Sequence, residues 1–265
     1  MIVQTARGDI NVLDTGEGHP VLLFHPLALS AELWRPLVEA PQGLRFIGLD
    51  APGHGQTPWD GTPFSVDDMA SDAAAVLEAL DLPTAAVVGL SMGGSTAVTL
   101  AGSRPELVSS LALVDTTACY GDDRVEEWES RAERAGSVPR QEQMEFQIDR
   151  WFSPRTVERD PESVQRVCEI FAATDSRAHA AACRALGGVD ATGLLGAIAA
   201  PTLVVVGSDD YATPIEMARE LHDGIGGSRL EVLDDARHLS VLDDPRAWRL
   251  VTEHIRSTTL TAVGP

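Results

Sequence analysis

The stretch Val87-Val88-Gly89-Leu90-Ser91-Met92-Gly93-Gly94 holds one serine between glycines two residues away on each side, in the pattern G-x-S-x-G. An apolar run ends just before the serine, and residues 95–103 favour a helix, which puts Ser91 on the turn between a strand and a helix. A turn this tight strains the serine backbone and needs small neighbours. The pattern predicts a serine nucleophile. Its alternative is a glycine-rich turn that contains a serine by chance.

Short apolar runs alternate with helical patterns on both sides of this turn. Residues 67–80 repeat apolar side chains at helical spacing. Apolar strands separated by helices are typical of a parallel sheet that is covered on both faces. The sequence therefore predicts an α/β protein with a mostly parallel, doubly wound sheet. We predict strands within residues 21–24, 46–49, 86–88, 111–114, 202–206 and 230–233.

The alternation stops in the middle of the chain. Residues 119–197 contain no convincing strand, are rich in Arg, Glu and Ala, and show helical patterns over 140–152 and 161–173. We interpret this segment as an all-helical cap, inserted after one strand, that covers the carboxyl edge of the sheet. Residues 1–118 and 198–265 then form the core domain.

Composition excludes several classes of function. The chain has 265 residues, of which 44% are hydrophobic. It has 20 basic residues, all of them arginine, and 40 acidic residues, so its formal net charge is −20. Without lysine there is no Schiff-base lysine and no phosphate-loop lysine. The acidic balance argues against a nucleic-acid partner, whose phosphates need a basic surface.

The cysteines and the hydropathy pattern bear on cofactors and membranes. The three cysteines, Cys119, Cys168 and Cys183, show no Cys-x-x-Cys spacing, so neither a zinc ribbon nor a redox pair is indicated. We expect no metal and no organic cofactor. Residues 1–20 are too polar for a signal peptide, and no apolar run approaches the roughly 20 residues that cross a bilayer. We expect a reduced, cytoplasmic protein without a membrane partner, whose last segment, 257–265, frays.

A serine hydroxyl needs a base within hydrogen-bond reach to act as a nucleophile. Asp210 follows the strand predicted at 202–206, and His238 follows the strand predicted at 230–233. The order Ser91, Asp210, His238, with each residue at the carboxyl end of a strand, is the order used by α/β-hydrolases. In open parallel sheets ligands bind at that edge. We predict a triad in which His238 is the base and Asp210 orients it.

The acid of this triad has two alternatives. Asp209 is adjacent to Asp210, and adjacent side chains point in different directions, so only one of them can face the histidine. Asp115 lies at the end of the strand predicted at 111–114. We choose Asp210, three residues past Gly207, and expect Asp209 to be solvated.

The negative charge that develops in acyl transfer needs two backbone N–H donors. One should be Met92, directly after the nucleophile, where the dipole of the following helix helps. The other should come from the loop His25-Pro26-Leu27-Ala28. Because Pro26 has no N–H, we predict Leu27 as the second donor and expect His25 to brace the loop.

These residues make the chain similar to the α/β-hydrolase superfamily over nearly its whole length, and more narrowly to the 3-oxoadipate enol-lactonases of aromatic-compound degradation. The narrower resemblance rests on four stretches: GLSMGG (89–94), RWFSP (150–154), GSDDYATP (207–214) and HLSVLDDP (238–245). It implies the α/β-hydrolase fold and again gives Asp210 as the acid.

Two stretches depart from the pattern. Residues 50–57 resemble the superfamily loop D-x-R-G-x-G-x-S, with Pro52 in place of the arginine. His25-Pro26-Leu27-Ala28 stands where the lactonases tend to have Asn-Ser-Leu-Gly. The second departure lies in the loop that is expected to bind the oxyanion.

The resemblance also gives Arg150 and Trp151 as candidates for substrate binding. An arginine can bind a substrate carboxylate through two hydrogen bonds, and such a local positive charge is needed in a chain that repels anions at long range. The alternative is a surface arginine beside a tryptophan packed in the cap core.

The resemblance implies a serine hydrolase that opens a lactone or carboxylic ester of a small-molecule substrate through an acyl-serine, with 3-oxoadipate enol-lactone as the named candidate. The same triad supports C–C bond hydrolysis, perhydrolysis and acyl transfer, which fold alone cannot separate. A non-catalytic small-molecule receptor that keeps the triad residues is a further alternative. No oligomeric state is predicted.

Overall fold

The structure, a computed structural model, describes residues 1–38 and 43–259. Eight strands form one sheet in the spatial order β1-β2-β4-β3-β5-β6-β7-β8. The strands are β1 (Ile2–Thr5), β2 (Gly8–Gly16), β3 (His19–Phe24), β4 (Leu44–Leu49), β5 (Ala85–Leu90), β6 (Val108–Val114), β7 (Thr202–Gly207) and β8 (Arg229–Leu233).

Ten α-helices accompany the sheet in the described part of the chain, together with short 3-10 segments at Ala31–Leu37, Pro105–Leu107 and Thr192–Ala197. The helices are α1 (Val66–Ala79), α2 (Met92–Ser103), α3 (Arg124–Ser137), α4 (Arg140–Trp151), α5 (Pro154–Arg159), α6 (Pro161–Ala173), α7 (Ser176–Gly188), α8 (Ile215–Gly224), α9 (Ser240–Asp243) and α10 (Pro245–Thr259). Of the segment expected to fray, residues 257–259 instead continue α10, and residues 260–265 lie outside the described residues.

The predicted parallel sheet is confirmed. Strands β3 to β8 pair in parallel, and all six contain the runs predicted for them. The antiparallel strands β1 and β2 were not predicted. They lie at the edge of the sheet, where β2 mixes buried and exposed positions without regular alternation, so its sequence carries neither a continuous apolar run nor a period of two.

The sheet is doubly wound because alternate residues of its central strands enter two cores. Ala85 and Val87 of β5 pack in one core with residues of α1, α2 and α8. Ala86 and Val88 pack in the other, with residues of Ala31–Leu37 and α10. Every residue of β5 and of β7 is therefore buried, which explains why their sequences are continuous apolar runs.

The first helix shows how the sequence sets an element boundary. Ser65 caps α1: its Oγ accepts a hydrogen bond from the Asp68 N–H at 3.1 Å, and its own N–H donates to Asp68 Oδ2 at 2.9 Å. This reciprocal pair satisfies two backbone groups at the helix start. The helix begins at Val66, one residue before the predicted start.

Helices α3 to α7 lie between β6 and β7, and the helices predicted at 140–152 and 161–173 correspond to α4 and α6. A single antiparallel bridge joins Cys119 to Asp190 near the two ends of this segment. The last part of the segment, Thr192–Ala197, packs on α2 and α8. Among the described residues, none of the helices is both long and apolar enough to span a membrane.

Candidate active site

Ser91 lies on a strained turn between β5 and α2. Its backbone has φ 56° and ψ −118°, and residues other than glycine rarely adopt a positive φ of this kind. A Cβ on Gly89 would collide with the backbone of Gly93, and a Cβ on Gly93 would collide with the carbonyl group of Phe24. Both glycines are therefore required by close packing. The G-x-S-x-G pattern is this turn, and not a chance occurrence of serine in a loop.

The Ser91 carbonyl fixes the turn from the other side. It accepts hydrogen bonds from the N–H groups of Gly94 and Ser95 at 2.8 and 3.1 Å. It also accepts one from Thr116 Oγ1 at 2.6 Å, in the chain just after β6. These three bonds hold the hydroxyl of Ser91 at the carboxyl edge of the sheet.

The structure brings the three predicted triad residues into hydrogen-bond contact. His238 Nε2 lies 2.8 Å from Ser91 Oγ. His238 Nδ1 lies 2.8 and 3.0 Å from the two carboxylate oxygens of Asp210. Because an ionised carboxylate can only accept, Nδ1 carries the proton and Nε2 is left as the acceptor that faces the serine hydroxyl. All three side chains are buried, with relative exposures of 5–7%.

Asp210 is held in place by the loop that follows it. Its carboxylate accepts hydrogen bonds from the Ala212 N–H at 2.7 Å, the Thr213 N–H at 3.1 Å and Thr213 Oγ1 at 2.8 Å. Burial acts to raise the pKa of Asp210, but the His238 charge and these hydrogen bonds outweigh it and leave the pKa below its ordinary value. The carboxylate therefore stays ionised beside the imidazole.

The pKa of His238 shifts in the opposite direction to that of Asp210. Burial acts to lower the pKa of His238, and the charge and hydrogen bond of Asp210 outweigh it, so that the pKa lies above its ordinary value. The imidazole is thus a stronger base than a free histidine. An arrangement of this kind can remove the serine proton and hold the resulting imidazolium.

The two alternative acids occupy other positions. Asp209 is exposed, as expected for a solvated residue. Asp115 is fully buried, but its carboxylate accepts hydrogen bonds from the Gly207 N–H at 3.1 Å and the Ser240 N–H at 2.9 Å. Burial, and then the charge of Asp210, raises the pKa of Asp115 to about 8. Asp115 thereby ties together the chain segments that carry Asp210 and the histidine, and it does not orient the imidazole.

The predicted oxyanion donors, Met92 and Leu27, belong to two separate segments near Ser91. Met92 is the first residue of α2, where backbone N–H groups have no acceptor within the helix. His25 braces the other loop: its Nε2 accepts from the Ala51 N–H at 3.0 Å, so its Nδ1 carries the proton and donates to the Pro26 carbonyl at 2.8 Å. Because the peptide bond is trans, the Leu27 N–H points away from that carbonyl and from His25.

A cavity of about 140 Å³ lies over Ser91, between the carboxyl edge of the sheet and the helices that follow β6. Leu27, Ser91 and His238 line it from the sheet side. Arg150 and Trp151, the two candidates for substrate binding, line it from α4. Both therefore border the same space as Ser91.

These two residues differ in how they are held. Trp151 is buried and packs edge-on against Phe171, with ring centroids 5.4 Å apart, so it belongs to the packed core of the segment as well as to the cavity wall. Arg150 is half-buried, and its guanidinium carbon lies 4.0 Å from the ring centroid of Phe146. Burial, and then the charges of Arg131 and Arg134, lowers the pKa of Arg150.

Several further residues of the cavity wall were not predicted, among them Tyr120, Arg131 and Arg134. The two arginines stand three residues apart on α3, a spacing that puts them on one face of a helix. That spacing was visible in the sequence, but it does not say that this face meets the cavity. No group of three or more His, Cys, Asp or Glu side chains in the described part of the chain could hold a metal ion.

The strained serine turn, the buried contacts of His238 with Ser91 and Asp210, and the mostly parallel sheet are together typical of the α/β-hydrolases. A family model for the alpha/beta hydrolase fold matches residues 19–188, and the chain belongs to this family. Similar proteins that can be aligned with nearly the whole chain include two enol-lactonases and an esterase.

The 3-oxoadipate enol-lactonase 2 of Acinetobacter baylyi is 30% identical over 238 residues, which cover 89% of this chain and 88% of that enzyme. The crystal structure of the enol-lactonase from Burkholderia xenovorans LB400 is similar with a TM-score of 0.89 and 26% identity, covering 96% of this chain and 99% of that one. A thermophilic esterase from Thermogutta terrifontis gives the same TM-score at 28% identity, covering 97% and 98%.

Proposed function

We propose that this protein is a serine hydrolase that opens a lactone or carboxylic ester through an acyl-serine, and that its substrate is 3-oxoadipate enol-lactone or a close analogue. The observation that carries the proposal is the buried contact chain from Ser91 Oγ through the His238 imidazole to Asp210, with links of 2.8 Å on each side of the ring. A histidine held between a hydroxyl and a carboxylate is arranged to activate the hydroxyl.

In the first half of the proposed reaction, His238 takes the proton of Ser91 while the serine oxygen attacks the carbonyl carbon of the lactone. The N–H groups of Met92 and Leu27 donate to the oxygen that becomes negative. When the ring C–O bond breaks, the imidazolium of His238 returns the proton to the leaving enolate. The result is an ester between Ser91 and the opened chain, with no atom lost.

In the second half, His238 takes a proton from water, which attacks the acyl-serine carbonyl. The same two N–H donors stabilise the second tetrahedral intermediate. Collapse of that intermediate releases the acid and returns the proton to Ser91. The reaction needs only the groups already present at the edge of the sheet.

The substrate class is supported by the wall of the cavity and by the relatives. Arg150 faces the cavity without a carboxylate partner among the described residues, so it is available for a substrate carboxylate. Two of the similar proteins are named as enol-lactonases and one as an esterase. An anionic lactone matches both the arginine and the triad.

The test is the hydrolysis of 3-oxoadipate enol-lactone and of a neutral short-chain aryl ester, each with the unmodified protein and with Ser91→Ala. We expect a higher kcat/KM for the lactone and no turnover of either substrate by Ser91→Ala. Ser71→Ala, at an exposed serine of α1, is the matched control and should retain full activity. An active Ser91→Ala protein would contradict the proposed mechanism. A higher kcat/KM for the neutral ester would contradict the proposed substrate class.

A receptor that keeps the triad without using it would give a different result. A serine-reactive phosphonate should label the unmodified protein at Ser91, because the imidazole activates that hydroxyl whatever the natural acyl group is. Absence of labelling together with tight binding of a small molecule would favour the receptor. Release of product from a C–C bond or in the presence of peroxide would instead favour the other chemistries of this triad.

A further inference from the structure

Three arginines face the cavity over Ser91: Arg131 and Arg134 from α3, and Arg150 from α4. Among the described residues that line the cavity there is no Asp or Glu. The chain as a whole has twice as many acidic as basic residues, with a formal net charge of −20. Positive charge is therefore concentrated in front of the nucleophile of a strongly acidic protein.

The cavity arginines also lack the partners that the other arginines have. Most arginines in the described part of the chain form an ion pair with a carboxylate, whereas none of these three does. Glu127 stands four residues before Arg131, at a spacing that favours an ion pair on a helix. That pair does not form, and Arg131 instead stacks on Trp128, with its guanidinium carbon 4.4 Å from the ring centroid.

The arginines divide into an inner position and an outer one. Arg131 lies over the ring of Trp128, and that ring lies 4.8 Å from the ring of Tyr120, in the chain just after β6. Arg131 is therefore on the inner side of the cavity, toward the end of β6, where its charge also acts on His238. Arg134 and Arg150 both approach the ring of Phe146, at 5.9 and 4.0 Å from its centroid. Phe146 is 50% exposed, which puts this outer pair at the mouth of the cavity.

The helix that carries Arg131 and Arg134 is held firmly. It packs on α7, where a Cβ on Gly187 would crowd the Cβ of Trp128, so the two helices meet at close range. The amide of Gln143 on α4 donates to the carbonyls of Val138 at 2.6 Å and Ala135 at 3.3 Å, and so ties the end of α3 to α4. The arginines of α3 therefore keep a fixed position relative to Arg150 on α4.

Like charges held together without counter-ions repel one another. Burial, and then this repulsion from Arg131 and Arg134, lowers the pKa of Arg150. An anion that enters the cavity removes the repulsion and gains charge-assisted hydrogen bonds. The arrangement is thus completed by a ligand that brings negative charge to both positions.

We infer that the cavity holds two carboxylates at once: the outer pair, Arg134 and Arg150, binds the carboxylate that the substrate already carries, and Arg131 attracts the second carboxylate, which hydrolysis releases beside the triad. The inference rests on the proposed function, since the second carboxylate is the product of acyl-serine hydrolysis. It assigns Arg131 and Arg134 as residues that determine specificity for acids that become dicarboxylates. A neutral ester has no carboxylate for the outer pair, so Arg134 and Arg150 would stay unpaired throughout its hydrolysis.

The test is a binding measurement that does not depend on turnover. Adipate, a six-carbon dicarboxylate, and adipamate, in which one carboxylate is replaced by an amide, are titrated into the unmodified protein by calorimetry. We expect adipate to bind at least about tenfold more tightly, as charge-assisted hydrogen bonds predict, and we expect this preference to shrink as salt is added. Equal binding of the two ligands would overturn the inference.

Variants separate local from overall charge. Arg131→Gln and Arg134→Gln should each reduce the preference for adipate severalfold, while Arg166→Gln, at an exposed arginine of α6 outside the cavity, removes the same charge and should leave the preference unchanged. An equal loss with Arg166→Gln would overturn the inference. If adipate is preferred but the lactone is not hydrolysed, only the proposed function fails; if the lactone is hydrolysed without a preference for adipate, only the dicarboxylate site fails.

Discussion

The sheet side and the helical side of the cavity are built on opposite principles. On the sheet side, Ser91, Asp210 and His238 are buried and each has its hydrogen-bond partners within the protein. On the helical side, Arg131 and Arg150 lie against aromatic rings and have no carboxylate partner among the described residues. Groups that carry out a reaction gain from being fixed in advance, whereas groups that recognise a substrate gain from having no partner until it binds.

The largest effect should come from the sheet side. Asp210→Asn preserves shape but can donate to His238, which favours the wrong tautomer, so we expect kcat to fall by about 10⁴-fold, as in the serine protease triad. Steady-state kinetics on the lactone would measure it. Asp209→Asn is the matched control and should stay near full activity, because Asp209 is exposed. Similar losses in both variants would mean that Asp210 has no special position.

A substitution in the serine turn should affect folding. Gly93→Ala drives a methyl group into the Phe24 carbonyl, and we expect the free energy of unfolding to fall by about 3 kcal/mol or more. Urea denaturation would measure the change. Gly136→Ala on α3 meets no atom within 4 Å and should be neutral or stabilise the protein by up to about 1 kcal/mol. Equal stability of the two variants would contradict the close packing at the turn.

A substitution on the helical side should affect substrate choice alone. Arg150→Gln should lower kcat/KM for the anionic lactone by about tenfold, the usual value of a charge-assisted hydrogen bond, chiefly through a higher KM. The neutral aryl ester should be hydrolysed as before. A parallel loss for both substrates would mean that Arg150 supports the fold and not recognition.

The smallest expected effect concerns the pH at which activity is lost. His238 must be neutral to act as the base, and its pKa lies above the ordinary value of about 6.5, so activity should be lost as pH falls through a point above 6.5. The limb in kcat/KM belongs to the free enzyme and should be the same for lactone and neutral ester. It should also survive Arg150→Gln. A limb at or below pH 6.5 would contradict the raised pKa.

The sheet side could be predicted from the sequence because each of its parts has a local signature. Strands buried on both faces, such as β5 and β7, are continuous apolar runs, and strand-end placement brings residues distant in sequence to one edge. Spacing left Asp209 and Asp115 open as acids. Only the structure shows that Asp209 is exposed and that Asp115 accepts hydrogen bonds from two backbone N–H groups. Of the three carboxylates, it is Asp210 that contacts His238.

The helical side could be predicted only in outline. Helical patterns located α4 and α6, but which face of α3 meets the cavity depends on its packing against α7, and so Arg131 and Arg134 were missed. Strands β1 and β2, the outer antiparallel pair of the sheet, were missed for a related reason. Which positions of such a strand are buried depends on the elements that pack beside it, and these are determined by the arrangement of the whole sheet.

The central claim is that Ser91 becomes acylated. It is tested most directly by quenching the protein with acid during turnover of 3-oxoadipate enol-lactone and measuring the mass of the protein and its peptides by mass spectrometry. Because opening a lactone loses no atom, we expect a mass increase equal to that of the whole lactone, located on the peptide that contains Ser91 and absent from Ser91→Ala. An adduct on another residue, or turnover by the Ser91→Ala protein, would contradict it.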